Sequence, residues 1–279
     1  MKKLFSAILA GLMLTSCAFG FTGCGKGEEN KENEGSKIEV DVASLGLMAD
    51  NTLTIGMEIG YPPFEYYAED GVTAVGFDVD MAKAIADKLG LKLNYINTAW
   101  DVIFAGIGMN YDVVISGVTI TEERKEEMAF STPYINNYQC IVVPTGSDLK
   151  ITDFTSLNGL SVSVMKETAS DIMITGLIDT GSISATVKRN EQVPTCFTEL
   201  ANGEVDVVVC DSTVADSYVA KNPEKYTIVY TDTSAPEQFG IAMGKDNAAL
   251  QDAINKAIAA LEEEGFFAAN TTKWFGSAD

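Results

Sequence analysis

The chain has 279 residues, 46% hydrophobic and 21% charged, which is typical of a folded protein with one large or two ordinary domains. Its 40 acidic and 19 basic residues give a formal net charge of -21, which argues against nucleic acid and anionic membrane surfaces as partners. The absence of histidine excludes histidine-dependent catalysis and histidine-ligated metals, and no pair among the five cysteines has the CxxC spacing of zinc ribbons or thioredoxin-like sites.

Residues 1–23 have the pattern of a bacterial lipoprotein signal peptide. A positive start precedes an apolar stretch over residues 4–14 that is too short to span a bilayer. Small residues precede both Cys17 and Cys24, as in the lipoprotein box. We favour Cys24 as the lipidated residue because polar sequence follows it directly. Cys17 is the alternative, and an ordinary signal peptide with a bystander cysteine is a third interpretation.

Residues 24–50 are predicted to be a lipidated cysteine followed by a tether. The segment Gly25 to Lys37 (GKGEENKENEGSK) is charged, rich in Gly and Asn, and has no apolar residue that could join a core. A lipid at its start would hold the rest of the chain at the outer face of a bacterial membrane. Two or more acyl chains are needed for stable attachment.

The next segment alternates short apolar runs with helical patterns. The predicted elements are a strand over Leu53 to Met57, a helix capped by Asp78 and ending at Leu89, a strand over Leu91 to Ile96, a helix over Trp100 to Met109 and a buried strand over Tyr111 to Ser116. This βαβαβ order predicts a parallel sheet with right-handed crossovers.

A second unit of the same kind follows. Its predicted elements are strands over Leu160 to Met165, Ala185 to Lys188 and Val205 to Cys210, and helices over Ser170 to Leu177 and Cys196 to Ala201. The extended stretches Tyr138 to Pro144 and Phe239 to Met243 are candidates for the connections between the units. We therefore predict an α/β protein with a cleft between two sheets. Ligands of such sheets bind at the carboxyl ends of the strands.

The loops after the first and third strands carry candidate binding residues. Two prolines stiffen the loop that presents Tyr61, and Gly117 allows a close approach of the backbone to a ligand. Thr121 is placed to cap a short helix, and Arg124 would then lie in its first turn, where a cation is unfavourable. An anionic ligand is one partner for this guanidinium, and a neighbouring glutamate is the other.

Asp211 ends a buried strand, where its carboxylate could bind an ammonium group or cap the next helix at Thr213 or Val214. Arg124 and Asp211 together would hold the two ends of a zwitterion. Trp100 and Tyr61 are candidate aromatic walls, although each is as readily explained as a core residue. In the first loop, Glu58 suits a basic or amide side chain.

The motifs in order are GYPPFEYY, GFDVDMAKAIADKLG, WDVIF, YDVVISGVTITEER, FSTPY, EVDVVVCD, FGIAM and KWFG. This series resembles the polar amino-acid-binding family of extracellular solute-binding proteins, the receptors of amino-acid ABC importers. The resemblance covers Leu53 to Gly276, and its most specific part is SGxTITxxR over residues 116–124. It implies a two-lobed, type II periplasmic-binding-protein-like fold, with residues 51–138 and 237–279 in lobe 1 and residues 139–236 in lobe 2.

The resemblance also implies roles for individual residues. Arg124, the backbone at Thr119 and the start of the second-lobe helix would hold the α-carboxylate of an amino acid. Asp211 would hold the α-amino group, assisted by the Gly117 carbonyl or the Ser116 side chain. Tyr61 and Trp100 would enclose the ligand side chain, and Glu58 stands where related binders of basic or amide amino acids have an acidic residue.

The chain departs from the family at one turn. Where the family usually has Gly-Thr, this sequence has Glu167-Thr168. The backbone of Thr168 and Ala169 remains a candidate for the carboxylate, provided that the Glu167 side chain points to solvent. Met165 and Cys210 would be apolar neighbours of the ligand. A Cys196–Cys210 disulfide is one alternative for the two cysteines, but buried thiols are the simpler interpretation.

The sequence therefore predicts a monomeric, lipid-anchored binding protein that closes on one amino acid and delivers it to the membrane subunits of an importer, without metal, cofactor or reaction. A basic ligand is favoured, followed by glutamine and then by a sulfur-containing or apolar amino acid. A prephenate-type or cyclohexadienyl dehydratase on the same scaffold is the enzymatic alternative, with Glu58 or Glu167 as general acid. A ligand-sensing ectodomain is the third alternative.

Overall fold

A computed structural model describes residues 37–276 of the chain. The signal peptide, Cys17, Cys24 and residues 25–36 of the predicted tether lie outside the described residues. Within residues 37–276, every helix is too short or too polar to cross a bilayer.

The chain alternates strands with helices, as the sequence predicted. The strands are β1 (Thr52–Met57), β2 (Tyr66–Tyr67), β3 (Ala74–Val75), β4 (Lys92–Asn97), β5 (Val113–Val114), β6 (Ala129–Phe130), β7 (Ile135–Asn137), β8 (Gln139–Pro144), β9 (Ser161–Met165), β10 (Thr186–Asn190), β11 (Val207–Asp211), β12 (Tyr226–Thr231), β13 (Glu237–Phe239) and β14 (Ala242–Met243). The α-helices are α1 (Phe77–Leu89), α2 (Glu122–Glu127), α3 (Ala169–Asp179), α4 (Val193–Ala201), α5 (Ser212–Lys221), α6 (Ala248–Glu263) and α7 (Phe266–Phe275).

Two five-stranded sheets form the framework. The first has the order β4-β1-β5-β14-β6, and the second has the order β10-β9-β11-β8-β12. In each sheet the first three strands are parallel, and a returning strand, β14 or β8, pairs antiparallel with both neighbours. Five of the six residues of β1 and all five of β11 are buried, which is typical of parallel strands covered on both faces.

A short two-stranded ribbon joins the sheets. β7 pairs antiparallel with β13, so that Asn137 faces Glu237 and Ile135 faces Phe239. The connection therefore lies just before the predicted stretch Tyr138 to Pro144, because residues 139–144 belong to the second sheet as β8. The exact residues at which the predicted lobes begin and end stay a prediction.

Helix α1 begins two residues earlier than the sequence predicted, and Asp78 is not its cap. Gly76 occupies the N-cap position, and the Phe77 and Asp78 amides donate to the carbonyls of Pro63 and Phe64. The proline loop thus satisfies the free N–H groups of the helix start, which a capping side chain would otherwise do. The Asp78 side chain is fully buried instead.

The predicted helix over Trp100 to Met109 is also wrong. The structure has two short 3₁₀ turns, Trp100–Val102 and Phe104–Gly106. The Tyr111 hydroxyl donates to the Ile103 carbonyl, which an α-helix would use for its own hydrogen bond. A Cβ on Gly106 would lie 2.2 Å from that hydroxyl, so the ring takes the place of a continuing helix.

Residues 38–48 pack against the first sheet and α6. The prediction that they belong to a free tether is wrong. Leu45 is buried in the core, and the Ile38 amide donates to the Lys88 carbonyl. The Met48 amide donates to Asp112 Oδ1 at 2.8 Å. The predicted tether extended too far along the chain. Unlike residues 25–37, this segment has apolar residues at intervals, and they pack against the core.

We predict that Gly76→Ala unfolds or severely destabilises the protein. Gly76 has φ +143° and ψ 175°, a region open essentially to glycine alone, and an added Cβ would lie 2.0 Å from the Phe64 carbonyl oxygen. We expect a loss of about 3 kcal/mol or more in the free energy of unfolding, measured by denaturant titration. Gly71→Ala is the control: Gly71 also has positive φ but open space around it, so its loss should stay near ~1 kcal/mol.

Candidate functional site

A narrow cavity lies between the two sheets at the carboxyl ends of their strands. Its lining residues are Glu58, Tyr61, Trp100, Ser116, Gly117, Thr119, Arg124, Met165, Thr168, Ala169 and Asp211. The structure therefore brings together the eleven candidate binding residues, including Met165. Cys210, which was also expected beside the ligand, is not among the lining residues. Residues after β1, β4 and β5 face residues at the ends of β9 and β11, as expected for two parallel sheets that share a cleft.

Arg124 lies half-buried in the first turn of α2. Thr121 caps this helix as predicted, because its hydroxyl accepts from the Arg124 amide at 3.2 Å. The guanidinium donates from Nη1 to the Thr119 carbonyl at 2.8 Å. It stacks on the rings of Phe104 and Trp100, with its carbon 5.1 and 5.5 Å from their centres. No salt bridge in residues 37–276 joins it to a neighbouring glutamate, and aromatic contact orients it toward the cavity.

Desolvation lowers the pKa of Arg124, and the nearby charges of Asp211 and Glu237 raise it. Arginine remains protonated despite such shifts. Guanidinium has five N–H donors, of which the Thr119 carbonyl takes one. The others leave capacity for a bidentate bond to a carboxylate in the cavity.

Asp211 ends β11 and is buried opposite Arg124's helix. Its Oδ1 accepts from the amides of Asn137 at 2.7 Å and Gln139 at 2.8 Å, and its Oδ2 accepts from the Tyr61 hydroxyl. Burial raises the pKa of Asp211, and these hydrogen bonds oppose the rise. The side chain does not cap α5, although Asp211 stands at the N-cap position. Three bonds leave room for one further donor on a carboxylate.

Glu58 is buried beneath the cavity with one oxygen open. Oε1 accepts from the Gln192 amide at 2.9 Å, whereas Oε2 has no hydrogen-bond partner among residues 37–276. Burial raises the pKa of Glu58, and the bond from Gln192 opposes the rise. A buried carboxylate oxygen without a donor is costly, so this atom is suited to receive N–H groups from a bound molecule.

Tyr61 and Trp100 connect the two sides of the cleft directly. The Tyr61 hydroxyl bonds to Asp211, and Trp100 Nε1 donates to the Glu167 carbonyl at 3.1 Å. Tyr61 also packs over Gly117, where an added Cβ would lie 3.2 Å from the ring. Gly117 therefore permits a close approach of this ring to the backbone.

The start of α3 faces the cavity from the second sheet. Thr168 stands at its N-cap position but turns its hydroxyl to the Met165 carbonyl at 2.7 Å, so it makes no side-chain cap. The first N–H groups of a helix attract anions. Glu167 has a left-handed backbone with φ +60°, and its side chain is 55% exposed. The structure thus meets the condition that the sequence analysis set for this glutamate.

The described cysteines are buried free thiols. Cys140, Cys196 and Cys210 form no disulfide with one another. Cys140 and Cys210 lie opposite each other on β8 and β11, and burial raises the pKa of Cys196 to about 11. The structure thus has buried thiols, the simpler of the two interpretations, and Cys196 and Cys210 are not joined by a disulfide.

Four polar residues around the site escaped the sequence analysis. Gln192 precedes α4 and reaches Glu58 from the second sheet. Asn137 and Gln139 share their amides between Asp211 and Glu237, with Gln139 Nε2 2.9 Å from Glu237 Oε2. The alternation of Asn137 and Gln139 along one face of an extended segment was the available signal. For Gln192 the sequence carries none.

The family profile of the bacterial extracellular solute-binding proteins, family 3, matches residues 53–277. Two curated relatives illustrate the range of ligands. The probable histidine-binding protein of Neisseria gonorrhoeae is 31% identical over 99% of this chain and 96% of its own length. The L-cystine-binding protein TcyJ of Escherichia coli K12 is 32% identical over 81% of this chain and 83% of its own.

Solved structures show the same architecture. An ancestral arginine-binding protein bound to arginine is 39% identical with a TM-score of 0.75, and covers 81% of this chain and 99% of its own. The arginine-, lysine-, histidine-binding protein ArtJ of Geobacillus stearothermophilus is 31% identical with a TM-score of 0.74, and covers 82% of this chain and 96% of its own. These neighbours are type II periplasmic binding proteins, which confirms the predicted fold.

One structural neighbour bears on the enzymatic alternative. The ancestral amino acid-binding protein AncCDT-1, a precursor of cyclohexadienyl dehydratase, is 32% identical with a TM-score of 0.74, and covers 81% of this chain and 96% of its own. The family and the curated relatives are substrate-binding proteins and not enzymes.

We predict that Glu167→Gly leaves the fold intact and raises the free energy of unfolding by up to about 1 kcal/mol. Glycine relieves the left-handed strain at this position, although it also gains entropy in the unfolded chain. Chemical denaturation measures the change. Lys166→Gly is the control, since the neighbouring residue has no positive φ and its substitution should destabilise. A loss of stability in Glu167→Gly as large as in the control would contradict the prediction.

Proposed function

The chain belongs to the bacterial extracellular solute-binding proteins, family 3, and from this premise we propose that it binds one free amino acid between its two sheets and delivers it to an ABC importer. The cavity is lined by both sheets, so a ligand there bridges the lobes and favours their closed arrangement. Binding without reaction agrees with the family.

We assign the two ends of the amino acid to two charged groups. Arg124, with the first amides of α3 at Thr168 and Ala169, receives the α-carboxylate. Asp211 receives the α-ammonium group with its remaining acceptor position. The two charges stand on opposite sides of one cavity, which favours a zwitterion over a simple acid or amine.

The observation that carries the ligand class is the open oxygen of Glu58. Glu58 lines the cavity, and its Oε2 atom is buried and lacks a donor among residues 37–276. A guanidinium or ammonium side chain would supply both hydrogen bonds and positive charge, and an amide would supply hydrogen bonds alone. We therefore rank arginine first, then lysine, then glutamine, and a sulfur-containing or apolar amino acid last.

Tyr61 and Trp100 complete the proposed site as walls for the ligand side chain. Trp100 already stacks with the guanidinium of Arg124, and Met165 adds an apolar, polarisable edge. The structural neighbours include an ancestral arginine-binding protein with bound arginine or glutamine and a binding protein for arginine, lysine and histidine. These basic and amide ligands support the ranking of arginine, lysine and glutamine ahead of sulfur-containing or apolar amino acids.

We further propose that the protein acts as a monomer at the outer face of a bacterial membrane. Lipidation at Cys24, or alternatively at Cys17, would hold it there after removal of residues 1–23. The partners would be the membrane subunits of the importer. The acidic net charge gives no reason to expect nucleic acid as a partner.

We predict that Arg124→Ala and Asp211→Ala each weaken binding of the preferred amino acid by about 100-fold or more. Truncating one member of a buried charge pair costs roughly 2–5 kcal/mol, because the other charge remains buried without a partner. Isothermal titration calorimetry on the folded variants measures the loss. Lys125→Ala removes the same charge from the exposed side of α2 and should bind like the wild type. Near-normal affinity in both site variants would contradict the clamp.

We predict that Glu58→Gln lowers the affinity for arginine and lysine by about 30-fold or more and that for glutamine far less. The readout is the shift in unfolding midpoint with each of the twenty amino acids, after unfolding and refolding to remove carried ligand. A ligand at about 100 times its dissociation constant adds roughly 2.7 kcal/mol, or about 5–10 °C. Glu69→Gln, at an exposed acid, is the control.

Arginine binding by the wild type should depend on pH in a defined direction, and the same variant tests this. Burial raises the pKa of Glu58, and a cationic ligand prefers the ionised form. Arginine affinity should therefore fall as the pH is lowered through that raised pKa, with proton release on binding. In Glu58→Gln the affinity should lose this dependence. If an amino acid other than arginine or lysine gives the largest rise in unfolding midpoint, the binding function stands and this role of Glu58 is rejected.

A further inference from the structure

Two acidic side chains lie beneath the cavity, behind the residues that line it. Glu65 follows the proline loop and Asp78 lies in the first turn of α1, and both are fully buried. Neither is among the lining residues of the cavity. The proposed function gives them no role.

Both carboxyl groups bind consecutive residues of the cavity floor. The Ser116 hydroxyl donates to Glu65 Oε1 at 2.6 Å, and the Gly117 amide donates to Asp78 Oδ2 at 2.8 Å. The Tyr134 hydroxyl also donates to Asp78 Oδ2, at 2.9 Å. Ser116 in turn accepts from the Glu58 amide at 3.0 Å, which connects this pair to the floor of the proposed ligand site.

Each carboxyl group has one oxygen left over. Glu65 Oε2 and Asp78 Oδ1 are buried and receive no N–H or hydroxyl donor from residues 37–276. Because Glu65 and Asp78 bind the consecutive residues Ser116 and Gly117, their carboxyl groups lie close together, and each raises or lowers the pKa of the other. A hydrogen bond between the two leftover oxygens would satisfy both of them. Such a bond between carboxyl groups requires a proton on one of them, and two buried carboxylates in contact cannot both be ionised at moderate cost.

The surroundings supply no positive charge to the pair. The titratable groups that face it are Glu58, Tyr61 and Tyr134, and the salt bridges within residues 37–276 do not include Glu65 or Asp78. Burial raises the pKa of both carboxyl groups, and the charge of Asp78 raises the pKa of Glu65 further. Asp78 receives two donors, from Tyr134 and Gly117, whereas Glu65 receives one, from Ser116, so negative charge is better stabilised on Asp78 and a proton on Glu65.

We propose that Glu65 and Asp78 share one proton and act as a positioning pair that fixes Ser116 and Gly117 at the floor of the ligand site. The single hydroxyl proton of Ser116 is committed to Glu65, so toward the cavity Ser116 offers only a lone pair. This polarity suits an ammonium group and not a carboxylate. The latter consequence rests on the proposed function, whereas the shared proton does not.

The shared proton makes folding stability depend on pH in a defined direction. The unfolded chain releases this proton near the ordinary glutamate pKa of about 4.3, whereas the folded pair keeps it to higher pH. Stability from the pair is therefore complete at low pH and lost as the pH rises toward the raised folded pKa. The chain contains no histidine, so no ordinary side chain titrates between about pH 5.5 and 8.

The test compares ligand-free wild type with Glu65→Gln, both without a histidine tag. The amide that this substitution introduces would donate to Asp78 and accept from Ser116, which mimics the protonated state. Between about pH 5.5 and 7.5, the unfolding equilibrium constant of the wild type should rise with pH more steeply than that of Glu65→Gln. The difference should reach up to tenfold for each pH unit. Asp78→Asn, which places the amide on the other partner, should flatten the profile equally, and Glu69→Gln should leave it unchanged.

Infrared spectroscopy supplies a readout that requires no stability measurement. Ligand-free wild type at neutral pH should show the carbonyl band of a protonated carboxylic acid, and this band should weaken in Glu65→Gln. Absence of the band from wild type, or equal pH slopes in wild type and variant, would overturn the shared proton even if neither variant folded well enough for comparison.

Binding measurements separate the positioning role from the proposed function. The ratio of arginine dissociation constants, wild type over Glu65→Gln, should rise with pH as the wild-type pair loses its proton. A constant ratio alongside unequal unfolding slopes would keep the proton and reject the positioning role. Failure of every amino acid to bind would reject the proposed function and leave the ligand-free result standing.

Discussion

The cost of burying negative charge governs the structure between the two sheets. Five carboxyl groups lie in this region: Glu58, Glu65, Asp78, Asp211 and Glu237. The positive charge of Arg124 acts on Asp211 and Glu237. An unpaired buried carboxylate costs several kcal/mol, so each group must find donors, a proton or a ligand. Asp211 and Glu237 share the amides of Asn137 and Gln139, whereas Glu58 keeps one oxygen open toward the cavity.

The parallel order of the strands explains why these groups come together. The carboxyl ends of β1 and β5 bring Glu58 and Ser116 to one edge of the first sheet. The carboxyl ends of β9 and β11 do the same for the second sheet, where α3 begins and Asp211 lies. Each sheet alone presents a half-lined edge. Two such edges facing each other give a cavity lined by both sheets, with Arg124 from the first and Asp211 from the second.

Much of this arrangement was predictable because it depends on local chain order. The βαβαβ pattern determines parallel pairing, and Thr121 with Glu122 marks the start of α2. The errors arose where a distant group replaced a local one. Backbone carbonyls of the proline loop cap α1 in place of Asp78, and the Tyr111 hydroxyl interrupts the predicted helix after Trp100. Neither contact leaves a periodic signal in the sequence.

The same limit applies to the surroundings of the site. Candidate ligand contacts stand at strand ends and in motifs, so they could be named in advance. The supporting residues could not: Gln192 reaches Glu58 from 134 residues away in the chain. The pairing of Glu65 with Asp78 likewise depends on how α1 docks behind β5, which no spacing in the sequence specifies.

The ribbon of β7 and β13 has a mechanical consequence. Any change in the angle between the two sheets must bend this ribbon, since both connecting segments run through it side by side. Asn137 lies in the ribbon, is fully buried, and bonds to Asp211 and to Glu237 on the facing strand. Because the hinge and the anionic side of the cavity share this amide, a rotation of the sheets is also a rearrangement of the charge that meets the ligand. Hinge stiffness and ligand affinity are therefore not independent variables in this protein, and selection on one acts on both.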